Sequence, residues 1–249
     1  MHYARFQVNS NQQPLHGWLE GEGITVLVDA PFINPQRTNQ RYSLQQVTLL
    51  APTVPSKVIA ISGNYWPSAE TSDVPQFYFK PPSAVVGTGA AIEIPPQAKQ
   101  LSFEAELAVV MGRRARWITV IDAPRYILGY TCALDVTATD LLHRDGNVTR
   151  AKAFDTFLPL GPTICPIVDP ADLVLICAVN GGVRQMASTR DLCFAVPQLV
   201  AYLSSILTLE PGDVILTGSP VGGGLLNEGD TVEVEIEGVG RLQNWVKRV

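Results

Sequence analysis

Charge is scarce in this chain. Only 16% of its 249 residues are Asp, Glu, Lys or Arg, against roughly 25% in an ordinary soluble domain. No basic block exists: 18 Lys and Arg stand against 23 Asp and Glu, a net charge of −5. Nucleic acid is therefore excluded as a partner, because phosphate neutralisation needs clustered cations. Histidine occurs three times, at His2, His16 and His143, too scattered for a His-rich zinc site. Cys132, Cys165, Cys177 and Cys193 form no CxxC pair. They read as reduced, buried hydrophobes of a cytoplasmic protein. No apolar run has the length of a bilayer span, and the opening MHYARFQVNSNQQPLHGW lacks the apolar core of a secretory signal. A membrane is thus not an expected partner. An apolar content of 46% excludes disorder, and 20 Gly and 19 Pro without a period exclude a collagen-like chain.

What is present is mostly strand. The length suits one large domain, or one with a small appendage. Residues 1–54 read as a small N-terminal segment of short strands (ARFQVN, HGWLEG, GITVLVD). Residues 55–249 read as the main domain, with Ala51–Ser56, APTVPS, as a linker between them. KVIAIS has the length and character of a buried strand. LSFEAELAVVMG alternates, as does TVEVEIEG, with Val232, Val234 and Ile236 inward and Glu233, Glu235 and Glu237 outward. Leu199, Leu203 and Ile206 give helical spacing, with Asp191 or Thr189 placed to cap the start. The regular βαβ rhythm of a nucleotide fold is missing, and Gly222–Gly223–Gly224 lacks the lysine and the strand–loop–helix setting of a phosphate loop. The expected class is β-rich α+β. The low charge admits two readings: a face covered by a second subunit, or Gln, Asn, Ser and Thr standing in for charge.

Glu104 and Glu106, at i and i+2 on a strand, share one face. Their neighbours are apolar, so the pair either faces water or must be compensated by protonation, a basic side chain or a divalent cation. Oxygen ligands suit Mg²⁺, Mn²⁺ or Ca²⁺. Asp135 follows an apolar run, where it is either a helix cap for the segment starting at Val136 or a third carboxylate of the same site. Lys152, among small and apolar residues, either pairs with Asp155 or Asp140 or stabilises an enolate.

On these residues the chain resembles the fumarylacetoacetate hydrolase family over about residues 55–249. The landmarks are KVIAISGNY, FYFKPPSAVVGTG, FEAELAVVMG, GYTCALDVTATD, RAKAFDTFLPLGP, VNGGVRQ, LEPGDVILTGSP and VEIEGVGRLQN, in that order. The resemblance implies a rolled mixed β-sheet and a divalent cation, Mg²⁺ (or Mn²⁺ or Ca²⁺), held by Glu104, Glu106 and Asp135. It implies Lys152 as the catalytic lysine, Ser219 and Gln185 as contacts to substrate oxygens, Tyr65 as a further substrate-binding residue, and Tyr65 and Trp66 as parts of a lid. It further implies a small 2-oxo or diketo acid as substrate, and a homodimer. The expected reaction is C–C hydrolysis of an acylpyruvate-like or fumarylacetoacetate-like acid. Isomerisation or decarboxylation of a hydroxy-dienedioate is the alternative, and a metal-binding homologue without lid chemistry is another.

The chain departs from the family pattern in two segments. Ser68 and Thr71 stand where a lid His and Glu are usual, with Glu70 one position away. Thr139 and Leu142 stand where an arginine and a glutamine are usual, with His143 and Arg144 just beyond. The first departure weakens water activation by a general base. The second removes a bidentate carboxylate clamp.

Overall fold

Parity along the strands builds this molecule. The structure is a computed structural model that describes residues 1–9, 11–66 and 73–249, with Asn11 and Gln12 described by backbone alone. The N-terminal unit consists of β1 (His2–Val8), β2 (Asn11–Glu20), β3 (Gly23–Leu27), β4 (Arg37–Ser43) and β5 (Val47–Leu49), around a small core of Ala4, Phe6, Ile24, Val26 and Val47. The main unit continues with β6 (Val58–Ser62), β7 (Gln76–Lys80), β8 (Val85–Val86), β9 (Ala91–Ile94), β10 (Leu101–Met111) and β11 (Ile127–Ala138). After the short helices α1 (Thr139–Asp145) and α2 (Val148–Lys152) come β12 (Leu158–Cys165), β13 (Val174–Val179) and β14 (Gly182–Ser188). Helix α3 (Val196–Ile206) precedes β15 (Val214–Leu216), β16 (Gly224–Leu226), β17 (Thr231–Ile236) and β18 (Gly240–Arg248).

Two open, mixed sheets result. The larger runs β4-β3-β2-β1-β12-β11-β10-β15-β6-β7, and the smaller runs β14-β13-β17-β18-β9. The N-terminal unit is annexed to the large sheet where β1 lies beside β12, Tyr3 opposite Ile164. Ala51–Ser56 is not a free linker: Thr53 is buried and its hydroxyl donates to Gly212 O at 2.9 Å. No helix among the described residues is long and apolar enough to cross a membrane.

Odd-numbered residues of β10 (Leu101, Phe103, Ala105, Leu107, Val109) pack against the small sheet through Leu175, Cys177, Val232, Val234 and Ile236. Even-numbered residues face the other way. There Ala108 and Val110 meet Val58, Ala60, Ala133, Leu160 and Leu216. This second face is concave, as the register demonstrates. Tyr78 lies opposite Ala60, Ala60 beside Leu216, Leu216 beside Ala108, and Ala108 beside Thr131 on β11. Four strand spacings separate β7 from β11, about 19 Å along a flat sheet. Yet the Tyr78 hydroxyl reaches Asp135 on β11 at 2.5 Å, so the sheet must roll over. Small side chains permit the close approach: Ala60, Ala84, Ala108 and Ala133 are all fully buried. The expected rolled, mixed, β-rich fold is the one observed.

Some local expectations shift. Helix α3 is capped by Ala195 and Gln198, whose side chain accepts from the Ala195 N–H, while Thr189–Asp191 forms a separate 3₁₀ turn. Three cysteines are buried as expected, but Cys193 is exposed. Propensity cannot distinguish these, because a small apolar residue at a turn is covered or uncovered only by its tertiary neighbours.

Candidate active site

The antiparallel register of β10 and β11 sets Glu104 directly opposite Asp135 and Glu106 opposite Ala133. All three carboxylates therefore lie on the concave face. Glu106 and Asp135 are buried, whereas the Glu104 side chain is 43% exposed. Asp135 is neither a helix cap nor a turn residue: β11 runs on to Ala138.

On the other edge of β10 the sheet is interrupted. Strand β16 pairs with Leu101–Phe103 and β15 with Ala108–Val110, so the stretch holding both glutamates has no strand beside it. The segment 217–223 loops past this gap and supplies the missing hydrogen bonds. Thr217 N and Oγ1 both donate to Leu107 O, and Gly218 N donates to Glu106 Oε2 at 2.5 Å. Gly218 has φ +97°, and a Cβ there would stand 2.8 Å from the Asn64 Cβ, so only glycine turns this N–H inward. Gln185, reaching over from β14, braces the gap. Its Oε1 accepts from Ala105 N at 3.1 Å, and its Nε2 donates to Ser219 Oγ and Pro220 O at 2.9 and 2.7 Å. Both amide protons are thus engaged. Gln185 holds the loop in place and does not line the cavity.

Lys152, at the end of α2, is buried between two carboxylates, 2.5 Å from Glu104 Oε2 and 3.0 Å from Asp135 Oδ2. These, not Asp155 or Asp140, are its partners. Two further groups were not singled out from the sequence. Lys80 Nζ lies 2.6 Å from Asp135 Oδ1 and donates to Val136 O, and Tyr78 donates to Asp135 Oδ2. Both project from β7 at i and i+2, onto the concave face. The available signal was a lysine closing the apolar strand QFYFK before Pro-Pro. Asn64 was missed as well. Its buried amide donates to Thr217 O and Phe194 O and accepts from Phe194 N, tying three segments together behind the site.

The electrostatics follow from this packing. Burial would raise the Asp135 carboxyl, but Lys152, Lys80 and the hydrogen bonds from Lys80 and Tyr78 outweigh it and hold the group below its usual range. Glu106 goes the opposite way. Burial, then the charges of Asp135 and Glu104, push it well above the carboxylate range against the opposition of Lys152 and the Gly218 N–H. Burial lowers Lys80 to about 8 despite Asp135. Lys152 is desolvated too, yet Asp135 and Glu104 raise it and keep it an ammonium.

A cavity of about 630 Å³ opens onto this array, lined at its charged end by Tyr78, Glu104, Glu106, Lys152 and Ser219. Ser219 is therefore placed to touch a ligand. Tyr65 is buried and lies outside the lining, close enough to Glu106 that burial and then that charge raise its phenol. Trp66 is 70% exposed. Ser68, Glu70 and Thr71 lie outside the described residues. Thr139 is partly buried, Leu142 lines the cavity, and His143 and Arg144 are exposed. A second cavity of about 580 Å³, beside Tyr130, Val168, Pro170 and Pro197, carries only the exposed Asp169 and Arg190 as charged groups.

Among the described residues no three acidic, His or Cys side chains are gathered closely enough to cage an ion; the Lys152 ammonium stands between two of the three carboxylates. The donor set nevertheless fits a hard divalent cation. It is all oxygen, Glu106 borders the cavity, and three carboxylates face only two ammonium groups.

A rolled β-sheet carrying this carboxylate–lysine array defines a family of enzymes. Residues 57–247 match the model of the fumarylacetoacetate hydrolase C-terminal domain, and residues 1–52 match the Rv2993c-like N-terminal model. The chain belongs to the fumarylacetoacetate hydrolase family. It is similar to the structure of a 2-hydroxyhepta-2,4-diene-1,7-dioate isomerase from Mycobacterium marinum, with 40% identity and a TM-score of 0.94 over 100% of this chain and 98% of that one. It is 39% identical to a mitochondrial oxaloacetate tautomerase of Rattus norvegicus over 81% of this chain and 70% of that protein. A maleylpyruvate hydrolase from Sphingobium, solved with manganese and pyruvate, shares 30% identity and a TM-score of 0.84 over 100% of this chain and 99% of that one.

Proposed function

We propose that this protein interconverts keto and enol forms of a 2-oxo acid with the help of a divalent metal ion. The observation that carries the reading is Lys152. It is a buried ammonium at the charged end of the cavity, held against Glu104 and Asp135. Glu104, Glu106 and Asp135 would hold the ion, in keeping with the manganese and pyruvate of the Sphingobium relative. The ion would supply Lewis acidity toward the 2-oxo-carboxylate oxygens.

The chain's own residues do the rest. Lys152 offers a proton donor and a positive charge where an enolate oxygen develops. Lys80 and Tyr78 fix Asp135 from behind, so its carboxylate keeps one orientation. Ser219 presents a hydroxyl along the loop wall, while the Gly218 N–H is spent on holding Glu106. Enolisation also needs a base to take the C3 proton as Lys152 protonates the enolate oxygen; Glu104, half-exposed in the lining and 2.5 Å from Lys152, fills that role and can return the proton to Lys152 through the same contact, which closes the cycle. The isomerase and tautomerase relatives support this order.

C–C hydrolysis, ranked first from the sequence, is the second reading, and the maleylpyruvate hydrolase relative favours it. Hydrolysis needs a water-activating base as well, and the residues described supply no candidate beyond the three carboxylates themselves. Proton NMR in D₂O with Mg²⁺ and a panel of 2-oxo and 2,4-dioxo acids separates the two. Deuterium uptake at C3 without new products supports tautomerisation. Appearance of two cleaved acids supports hydrolysis. Neither result, together with no metal-dependent binding of oxalate, would refute both.

A further inference from the structure

The cavity has a second end that the chemistry above does not use. Side chains on alternate residues of β10 step outward along one face, from Glu106 to Glu104 to Ser102, about 7 Å per step. Across the ladder Thr137 lies opposite Ser102, and Leu225 lies beside Ser102 on the other edge. Past the end of β11, α1 and α2 bring Leu142 and Val148 to the same wall. The cavity therefore grades from carboxylates and Lys152, through two hydroxyls, to a mouth of Leu142, Val148 and Leu225.

No cation lines that mouth; Lys152 is the single basic residue among the described lining residues. Of the nearby guanidinium groups, Arg144 and Arg150 pair with Asp145, and Arg184 is exposed and outside the lining. The sequence 67–72, PSAETS, contains no basic residue either.

We infer that the substrate is a monocarboxylic 2-oxo acid whose tail is neutral and apolar, with Leu142, Val148 and Leu225 as the residues that select it. The inference rests on the proposed reading of the charged end. Charge balance supports it. Three carboxylates, two ammonium groups and a divalent ion leave one positive charge, matched by one substrate carboxylate. A second carboxylate would sit at an apolar mouth without a partner, which is unfavourable. Each tail methylene buried there is worth about 0.8 kcal/mol, or about three- to four-fold in affinity. The preference is the reverse of what the word dioate in the Mycobacterium marinum relative's name describes.

The test is calorimetric, on the full chain with Mg²⁺. Oxalate probes the charged end alone. The straight-chain 2-oxo monoacids from 2-oxobutanoate to 2-oxooctanoate probe the mouth, and 2-oxohexanedioate is set against 2-oxoheptanoate. The expected result is metal-dependent oxalate binding, affinity rising about three-fold per methylene, and the dioate at least about ten-fold weaker than its monoacid. Leu142→Arg should reverse that order. Leu225→Arg, at a half-exposed position that tolerates the change, should reverse it too and covers the case in which the first variant does not fold. Oxalate binding with an equal or tighter dioate in the unmodified protein overturns this inference alone. Absence of metal-dependent oxalate binding overturns the proposed function and this inference with it.

Discussion

Replacing Glu106 by Gln should make the metal-free protein more stable and the metal-exposed protein less responsive. Glu106 is fully buried, with Asp135 and Glu104 on the same face and the Gly218 N–H on one oxygen. Two ammonium groups serve three carboxylates, so without a cation Glu106 must either bury an unmatched charge or take up a proton on folding, as its raised carboxyl indicates. Glu106→Gln keeps the volume and an acceptor for Gly218 but removes that cost. Replacing poorly compensated buried charges by neutral groups commonly stabilises by about 1–4 kcal/mol. For a chain of this length each kcal/mol moves Tm by about 2–4 °C, so with EDTA present Tm should rise by about 2–16 °C. In the unmodified protein, Mn²⁺ at 100 times its Kd should add about 2.7 kcal/mol, a rise of about 5–10 °C. Glu106→Gln should lose most of that response, and the two melting curves should converge or cross on adding metal. Differential scanning calorimetry with and without EDTA reads both effects. A lower Tm for Glu106→Gln in EDTA would refute the charge argument, and an undiminished Mn²⁺ response would refute the placement of the ion.

Other outcomes follow from the same geometry. Lys80→Met strands Asp135 against a single ammonium and should cost about 3–5 kcal/mol, read as a lowered urea midpoint; a change below about 1 kcal/mol would show that Lys152 alone suffices. Tyr78→Phe removes one hydrogen bond to a charged group, worth about 1.5–3 kcal/mol. It should lower kcat for enol–keto exchange more than it raises KM, and an unchanged kcat would remove Tyr78 from the site. Gly218→Ala forces a side chain onto Asn64 at positive φ and should cost at least about 1–3 kcal/mol, with weaker Mn²⁺ binding in a titration followed by electron paramagnetic resonance; Mn²⁺ binding at the original strength would show that this N–H does not position Glu106. Asp213→Ala should loosen the join between β6 and β15, which pair in parallel. The buried Asp213 carboxylate accepts from the backbone of Ser56, Lys57 and Glu210 and pairs with the Lys57 ammonium. Loss of about 3–5 kcal/mol is expected, and a circular-dichroism melt within a degree of the parent would contradict it.

Sequence and structure divide the explanation unevenly. The strand holding Glu104 and Glu106, their shared face and the eight ordered landmarks are local properties, because alternation follows from backbone geometry alone. So is the presence of Asp135 in an apolar strand. The Gln185 brace is different. Its side chain could be identified as important, but its bond to Ala105 exists only because β15 and β16 leave a gap along β10. Cys193 and the Thr189–Asp191 turn were misread for the same reason: neighbours distant in sequence decide cover and capping.

By itself, then, the sequence determined which face of which strand carries the acids, and that, once buried, they needed a proton, a basic side chain or a cation. Only the tertiary structure decided what compensates them. Tyr78 and Lys80 lie four strands from Asp135 in the sheet order, and no pattern in QFYFK discloses that distance or its closure. Closure comes from the roll of the sheet over Ala60, Ala108 and Ala133, where small side chains let β7 fold back onto β11. The apolar mouth is likewise a product of assembly: Leu142, Val148 and Leu225 are ordinary residues until β16, α1 and α2 bring them to one wall.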